Sequence, residues 1–245
     1  MEAAGAAGLE GVPGVELSCA APLGLQVHLL GLFIDRRCGA LLEALELTRR
    51  WRAERNAAMV HRLSGLGIKL DEGELLGIAR ENSRGGKTFI GRPHMAEALV
   101  RRGYCKDKRE AFSMYLGKNA RAYVPRRTLD VRQSIGIIHE AGGLAVLAHS
   151  LASIGDRKKH QATVEALVAM SLDGIEVMYP DYSPLAMRKL NGLADARGLL
   201  KSGGTDYHGP ATSPGICLGT GRSREGRLMI PDSYLEAMKA KLVKL

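Results

Sequence analysis

Aromatic side chains are scarce in this 245-residue chain, at 4% of the total with three Phe and one Trp. So few rings argue against a surface built on base stacking. Cysteines are few as well: Cys19, Cys38, Cys105 and Cys217 are scattered and form no Cys-x-x-Cys pair. That pattern argues against a zinc ribbon or a disulfide scaffold and fits a reducing cytosol. No run approaches the roughly 18 apolar residues that span a bilayer. Residues 1–14 hold no basic segment followed by an apolar one, so a secretory signal is not expected. The expected location is cytoplasmic, with no membrane partner and no protein partner to be inferred.

Positive charge is what the chain has in excess. Its 35 Lys and Arg outnumber 26 Asp and Glu, a formal net charge of +9, which favours anionic partners such as nucleotides, phosphorylated metabolites or RNA. The hydrophobic fraction of 45% and charged fraction of 25% are those of an ordinary globular protein. The length suits one large domain, or a body with one insertion.

Residues 12–18 (VPGVELS) and 25–34 (LQVHLLGLFI) read as two strands joined by the turn Ala-Pro-Leu-Gly. Residues 41–66 read as a long amphipathic helix carrying Leu42, Leu45, Leu47, Val60, Leu63 and Leu66. Arg49, Arg50, Arg52, Arg55 and Arg62 make that helix strongly basic, most simply as a solvated face. Further helices are expected at 71–81, 95–102 and 108–116, with a polar turn at 82–87. From residue 129 the texture becomes an α/β alternation: helices at 130–141, 160–170 and 184–197, and strands at 144–149, 174–179 and 199–203. Polar residues at strand ends in such an alternation mark a parallel α/β barrel or sheet, with functional groups at the C-terminal ends of the strands. The mostly helical stretch between reads as an insertion, giving barrel segments at 1–48 and 129–245 and a helical domain at 49–128.

The most pointed chemistry lies in Gly203-Gly204-Thr205-Asp206-Tyr207-His208-Gly209, read as a strand-end turn. On a strand, Asp206 and His208 would share one side and form half of a divalent-metal site. His149 ends the apolar run LAVLAH, and His28 lies within the apolar second strand. Glu16 lies on the first strand, where a lone carboxylate is most often a solvated edge residue. His94, in Gly-Arg-Pro-His with Arg92, could hold a phosphate, or simply mark a helix start with Pro in its first turn. Asn56, beside Arg55, could also reach a ligand. His61, His139 and His160 sit in polar helical surroundings and read as surface residues. Mixed Glu, His and Asp ligands suit manganese, iron or zinc, and such ions beside arginines are apparatus for phosphoester hydrolysis.

Seven ordered motifs, PGVELS, VHLLGLFID, RAERN, GRPH, AGGLAVLAH, GIEVMYP and GGTDYHG, resemble the PHP (polymerase and histidinol phosphatase) family. The resemblance runs over residues 12–209 and is nearest to its TrpH-like, RNase AM-like branch. It implies a distorted (β/α)7 TIM-like barrel with a helical insertion domain. It also implies a phosphoesterase acting on nucleotides or short RNA, as a 3′,5′-nucleotide bisphosphate phosphatase or 5′-to-3′ exoribonuclease. Glu16, His28, His149, Asp206 and His208 match the family's metal ligands; Asn56, Arg92 and His94 match its phosphate-facing motifs. The resemblance implies up to three divalent metals, commonly manganese, with zinc or iron as alternatives. Ser150 replaces a common Pro and Thr-Asp-Tyr replaces Ser-Asp-Phe, and neither change removes a ligand.

One departure is larger. Family members open with a His-x-His strand and later a Thr-Asp-His strand, whereas here no two histidines lie two residues apart and the first is His28. The chain begins about where the family's third barrel strand would, which reads as an N-terminally incomplete barrel. Fewer metals, lower stability and a loss of activity are the corresponding expectations. The alternative function is a non-catalytic nucleotide- or RNA-binding protein with an incomplete metal site. Resemblance to a histidinol-phosphate phosphatase is weaker.

Overall fold

The computed structural model describes residues 2–81, 89–209, 215–219, 221 and 228–243; the turn expected at 82–87 lies outside the described residues. The chain divides into two compact units, one of Met1–Ala44 with Thr128–Leu245 and one of Leu45–Arg127. Strands are β1 (Gly14–Ala21), β2 (Leu25–Leu32), β3 (Leu129–Asp130), β4 (Leu144–Ala148), β5 (Gly174–Met178) and β6 (Leu200–Gly203). Helices are α1 (Glu2–Ala6), α2 (Gly39–Gly65), α3 (Glu72–Glu81), α4 (Arg92–Arg101) and α5 (Lys108–Ala111), the last running into a π-helical turn, Phe112–Leu116. They continue as α6 (Val131–Glu140), α7 (Ser150–Ser153), α8 (Arg157–Val168), α9 (Pro184–Arg197) and α10 (Asp232–Leu242). The short α7 and the C-terminal α10 were not anticipated from the sequence. No helix among the described residues is long and apolar enough to cross a membrane.

The first unit is a mixed α/β fold on a six-stranded sheet of order β3-β1-β2-β4-β5-β6. β2 pairs antiparallel with both β1 and β4, and all other neighbours are parallel, so β2 alone runs against the rest. A tight connection forces this reversal: Leu23 and Gly24, with φ of 65° and 68°, close the β1–β2 turn. Parallel pairing from residue 129 onward follows the expected strand–helix alternation.

Strand alternation sorts the side chains. Leu17, Cys19, Val27 and Leu29 are buried on one face, where α6 packs across β1, β2 and β4. That helix buries Val131, Ser134, Ile135 and Ile138, a one-sided helical stripe. Its start is fixed by the Asp130 carboxylate, which accepts from the backbone N–H groups of Arg132 and Gln133. On the opposite face Leu30, Leu32, Leu144, Val146 and Leu200 pack with Met238 of α10. The register continues this face upward through His28 beside Ala148, and Glu176 beside Ser202. Polar residues thus gather beyond the apolar patch, towards the C-terminal ends of β4, β5 and β6.

The helical unit has its own core, which includes Met59, Leu63, Leu75, Ile78, Met95, Leu99 and Leu116. The long α2 does not present the single stripe expected of it. Leu41 and Ala44 are buried near its start and Met59 and Leu63 near its end, while Leu42 is 50% exposed. Adjacent residues on a helix point about 100° apart, so burying Leu41 turns Leu42 to solvent.

Candidate metal centre

Three donor atoms from three different strands or strand ends meet at one point. Glu16 Oε1 lies 2.6 Å from His28 Nδ1 and 3.3 Å from His149 Nε2, and the two ring nitrogens are 3.2 Å apart. The β1–β2 register supplies the first pair, since Glu16 faces Leu30 and His28 faces Ser18, leaving both side chains on one face. His149 follows the last residue of β4 and adopts φ 27°, ψ 43°. This left-handed conformation is strained for a non-glycine residue. Its backbone N–H donates to Glu176 Oε2 at 2.7 Å, and its Nδ1 lies 3.0 Å from Ser153 Oγ.

Asp206 and His208 also come together, but not as strand neighbours. β6 ends at Gly203, and Asp206 has φ 50°, so the pair sits on a turn rather than alternating along a strand. The left-handed residue folds the chain back. His208 Nδ1 is consequently 2.8 Å from the Asp206 carbonyl oxygen and 3.3 Å from its carboxylate. Ligand atoms of Glu16, Asp206 and His208 lie within 4.8 Å of one another, as do those of Glu16, His28 and His149. Glu16 is therefore common to two groups, each able to hold a metal ion.

The donor set fits a divalent ion. Two ligand atoms about 2.05 Å from one ion at a tetrahedral angle are separated by about 3.3 Å, the spacing of His149 from both Glu16 and His28. Glu16 and His28, hydrogen-bonded at 2.6 Å, would separate by several tenths of an ångström on ligation. Without an ion, the cluster shares protons. Hydrogen bonds from His149 and then His28 outweigh burial and hold the Glu16 carboxyl far below its usual range. The same bond to Glu16 raises His149, against its own burial.

Two residues here were not singled out in the sequence. Glu176 is only 5% exposed. Burial pushes its carboxyl up to about 7, although the His149 N–H opposes the shift and the nearby Asp206 and Glu16 charges add to it. Tyr179 donates its hydroxyl to Asp206 Oδ2 at 3.2 Å. A signal for Glu176 existed: in GIEVMY it shares strand parity with Gly174, leaving Ile175 and Val177 to the other face.

The remaining predicted residues belong to the helical unit. His94 is the third residue of α4, and its Nδ1 accepts the Gly91 N–H at 3.0 Å, capping the helix start. Burial and the Lys108 charge lower its pKa. Arg92 donates to the Leu116 carbonyl at 3.3 Å and lies 5.6 Å from the Phe112 ring centroid. Asn56 donates its amide to the Ile90 carbonyl at 2.8 Å. Arg55, donating to the Val124 carbonyl, has its pKa lowered by burial and then by the charge of Arg92.

His160 is not a surface residue. It is 4% exposed, with Nε2 2.9 Å from the buried Ser150 Oγ. The basic run before it continues α8 back to Arg157, so polar sequence neighbours did not mean solvent around this ring. His139 is exposed but pairs with the buried Asp173 at 2.7 Å.

No protein-family model matches the chain. A 3′,5′-nucleoside bisphosphate phosphatase of Chromobacterium violaceum is 33% identical over 249 residues, covering 94% of this chain and 83% of its own. The chain belongs to the PHP family. Another relative, the 5′-3′ exoribonuclease Rnm of Escherichia coli, is 32% identical over 208 residues, covering 85% of this chain and 68% of its own. A solved structure from Bifidobacterium adolescentis, assigned as a metal-dependent phosphoesterase, superimposes with a TM-score of 0.75 at 26% identity. That match covers 98% of this PHP chain and 79% of the other.

Proposed function

We propose that this PHP-family chain is a metal-dependent phosphoesterase acting on phosphate esters of nucleotides or short RNA. The observation that carries the reading is the meeting of Glu16, His28 and His149, with Glu16 shared by Asp206 and His208. A carboxylate lodged against two imidazoles 3.2 Å apart is better suited to ligation than to packing. The names of the two relatives, a nucleoside bisphosphate phosphatase and an exoribonuclease, supply the substrate class.

In this reading Glu16, His28 and His149 hold one divalent ion, and Glu16, Asp206 and His208 a second. Manganese suits the mixed oxygen and nitrogen donors, as do zinc and iron. Ions bound there supply Lewis acidity and charge neutralisation for displacement at phosphorus. The chain's own residues do the rest. Glu176 fixes the His149 backbone and Tyr179 orients the Asp206 carboxylate; within the helical unit, Arg92, His94 and Asn56 are read as residues for phosphate. The six strands are read as part of a distorted PHP-type (β/α)7 barrel with residues 49–128 inserted as a helical domain; the separate core of that stretch supports this.

Manganese-loaded protein should release phosphate or mononucleotide from a 3′,5′-bisphosphonucleotide or a short 5′-phosphorylated RNA, and turn over histidinol phosphate poorly. Absence of turnover on all three, with manganese, zinc and iron each tried, would sink the proposal in favour of non-catalytic binding.

A further inference from the structure

The helical unit carries the chain's whole surplus of positive charge. Residues 45–127 hold 19 Lys and Arg against 9 Asp and Glu, while the full chain holds 35 against 26. The rest of the chain is close to neutral. Such an asymmetry is the electrostatic footprint of a polyanion.

Within that unit a cavity of about 440 Å³ opens beside α2, a volume in the range of small-ligand sites. Arg49, Arg52, Asn56 and Val60 line it at helical spacing, and Leu75 and Phe89 are among the apolar groups completing its wall. Glu72 lines it as well. Phe89 remains 43% exposed, with the Arg49 guanidinium 5.8 Å from its ring centroid. An apolar floor gives inorganic phosphate nothing to bury, and a rim of arginines gives an uncharged hydrophobe no advantage. A flat heterocycle joined to phosphate satisfies both.

We propose that this cavity takes one base of a single-stranded RNA while Arg49 and Arg52 hold the adjoining phosphates. This inference rests on the reading of the chain as an enzyme of nucleotides and RNA. A strand, rather than a free nucleotide, matches a charge surplus far larger than one nucleotide neutralises. The scarcity of rings fits too: among the described residues Phe89 and His61 are the rings lining the cavity, so most of the binding is to the backbone.

The test uses the intact chain with chelator present, so that RNA is bound but not cut, and reads fluorescence anisotropy of a labelled RNA of about ten residues. Arg49→Gln with Arg52→Gln should weaken binding about tenfold and flatten the slope of log affinity against log salt by about 1.4. Phe89→Ala should weaken binding about fivefold with the salt slope unchanged. Both variants should melt as the parent does and keep its turnover of a 3′,5′-bisphosphonucleotide. Unchanged RNA affinity in both variants would overturn the proposal. So would full displacement of the RNA by AMP at equal affinity, which would make this a mononucleotide site. Loss of bisphosphonucleotide turnover in a folded double variant would also count against it, by placing the arginines at the reacting phosphate. If the parent hydrolyses no substrate, the phosphoesterase reading fails separately, and the anisotropy still decides this one.

Discussion

Glu16 and His28 are not direct cross-strand partners, yet their side chains touch. Glu16 pairs with Leu30 and His28 with Ser18, and the carboxylate crosses the diagonal to within 2.6 Å of the ring nitrogen. Diagonal neighbours in an antiparallel pair are within reach of long side chains, and His149 closes the triangle from β4. Replacing Glu16 therefore has two consequences in one residue, because it belongs to both ligand groups.

Glu16→Gln keeps the shape but removes the charge. It is expected to lower metal content, measured by elemental analysis after dialysis, and to reduce kcat/KM for phosphoester turnover by at least about 100-fold. His28→Ala should lose metal at one group only. Equal metal content in parent and Glu16→Gln would show that this carboxylate is not a ligand.

Metal removal should make stability sensitive to pH near neutrality. Burial raises the Glu176 carboxyl to about 7, so the folded chain holds this proton more tightly than the unfolded one. The stabilising contribution is complete below the ordinary value of 4.5 and is lost as pH rises through about 7. Chelated protein should thus melt at a lower temperature at pH 8 than at pH 6, and Glu176→Gln should flatten that difference. A melting temperature that stays flat for the chelated parent would contradict it.

At the other end of the sheet, acid should loosen α10. Asp173 is 6% exposed and accepts from Lys241 Nζ at 2.8 Å, Ala145 N at 2.8 Å and His139 Nε2 at 2.7 Å. Burial pushes this carboxyl up, but those bonds outweigh it and hold the pKa below the ordinary 3.8. The resulting stability is present above that value and disappears as pH falls below it. Asp173→Asn should cost about 1–3 kcal/mol at neutral pH, read by urea unfolding, and should lessen the acid sensitivity.

Gly143 leaves no room for a side chain. A Cβ there would lie 2.6 Å from Ile34 Cγ2 and 2.7 Å from the Leu32 carbonyl oxygen. Gly143→Ala should destabilise the protein by about 1–3 kcal/mol without changing metal affinity per folded molecule. Gly155→Ala, which meets nothing within 4 Å, is the comparison expected to melt near the parent temperature.

Much of the fold was legible because local rules and tertiary structure agree. Ser183 and Pro184 open α9, and Gly198 at φ 62° closes it, as capping preferences dictate. The β1–β2 hairpin followed from its turn. The apolar LAVLA of β4 is buried throughout. What the residues alone could not show was the company they keep. Polar neighbours in sequence hid the burial of His160, and Glu176 was lost within an apolar strand. Asp206 and His208 converge for a different reason than alternation suggested.

The sequence by itself determined most of the elements, the surplus of positive charge and, through ordered motifs, the family. Those properties reside in short stretches of chain, where propensity and chemistry are local. Tertiary structure alone decided that Glu16 joins two ligand groups, that His149 turns through a strained left-handed conformation to meet it, and that Asp173 ties α10 to the sheet. These depend on strand register and helix docking between residues up to 192 positions apart (Glu16 to His208), distances over which no local pattern carries information.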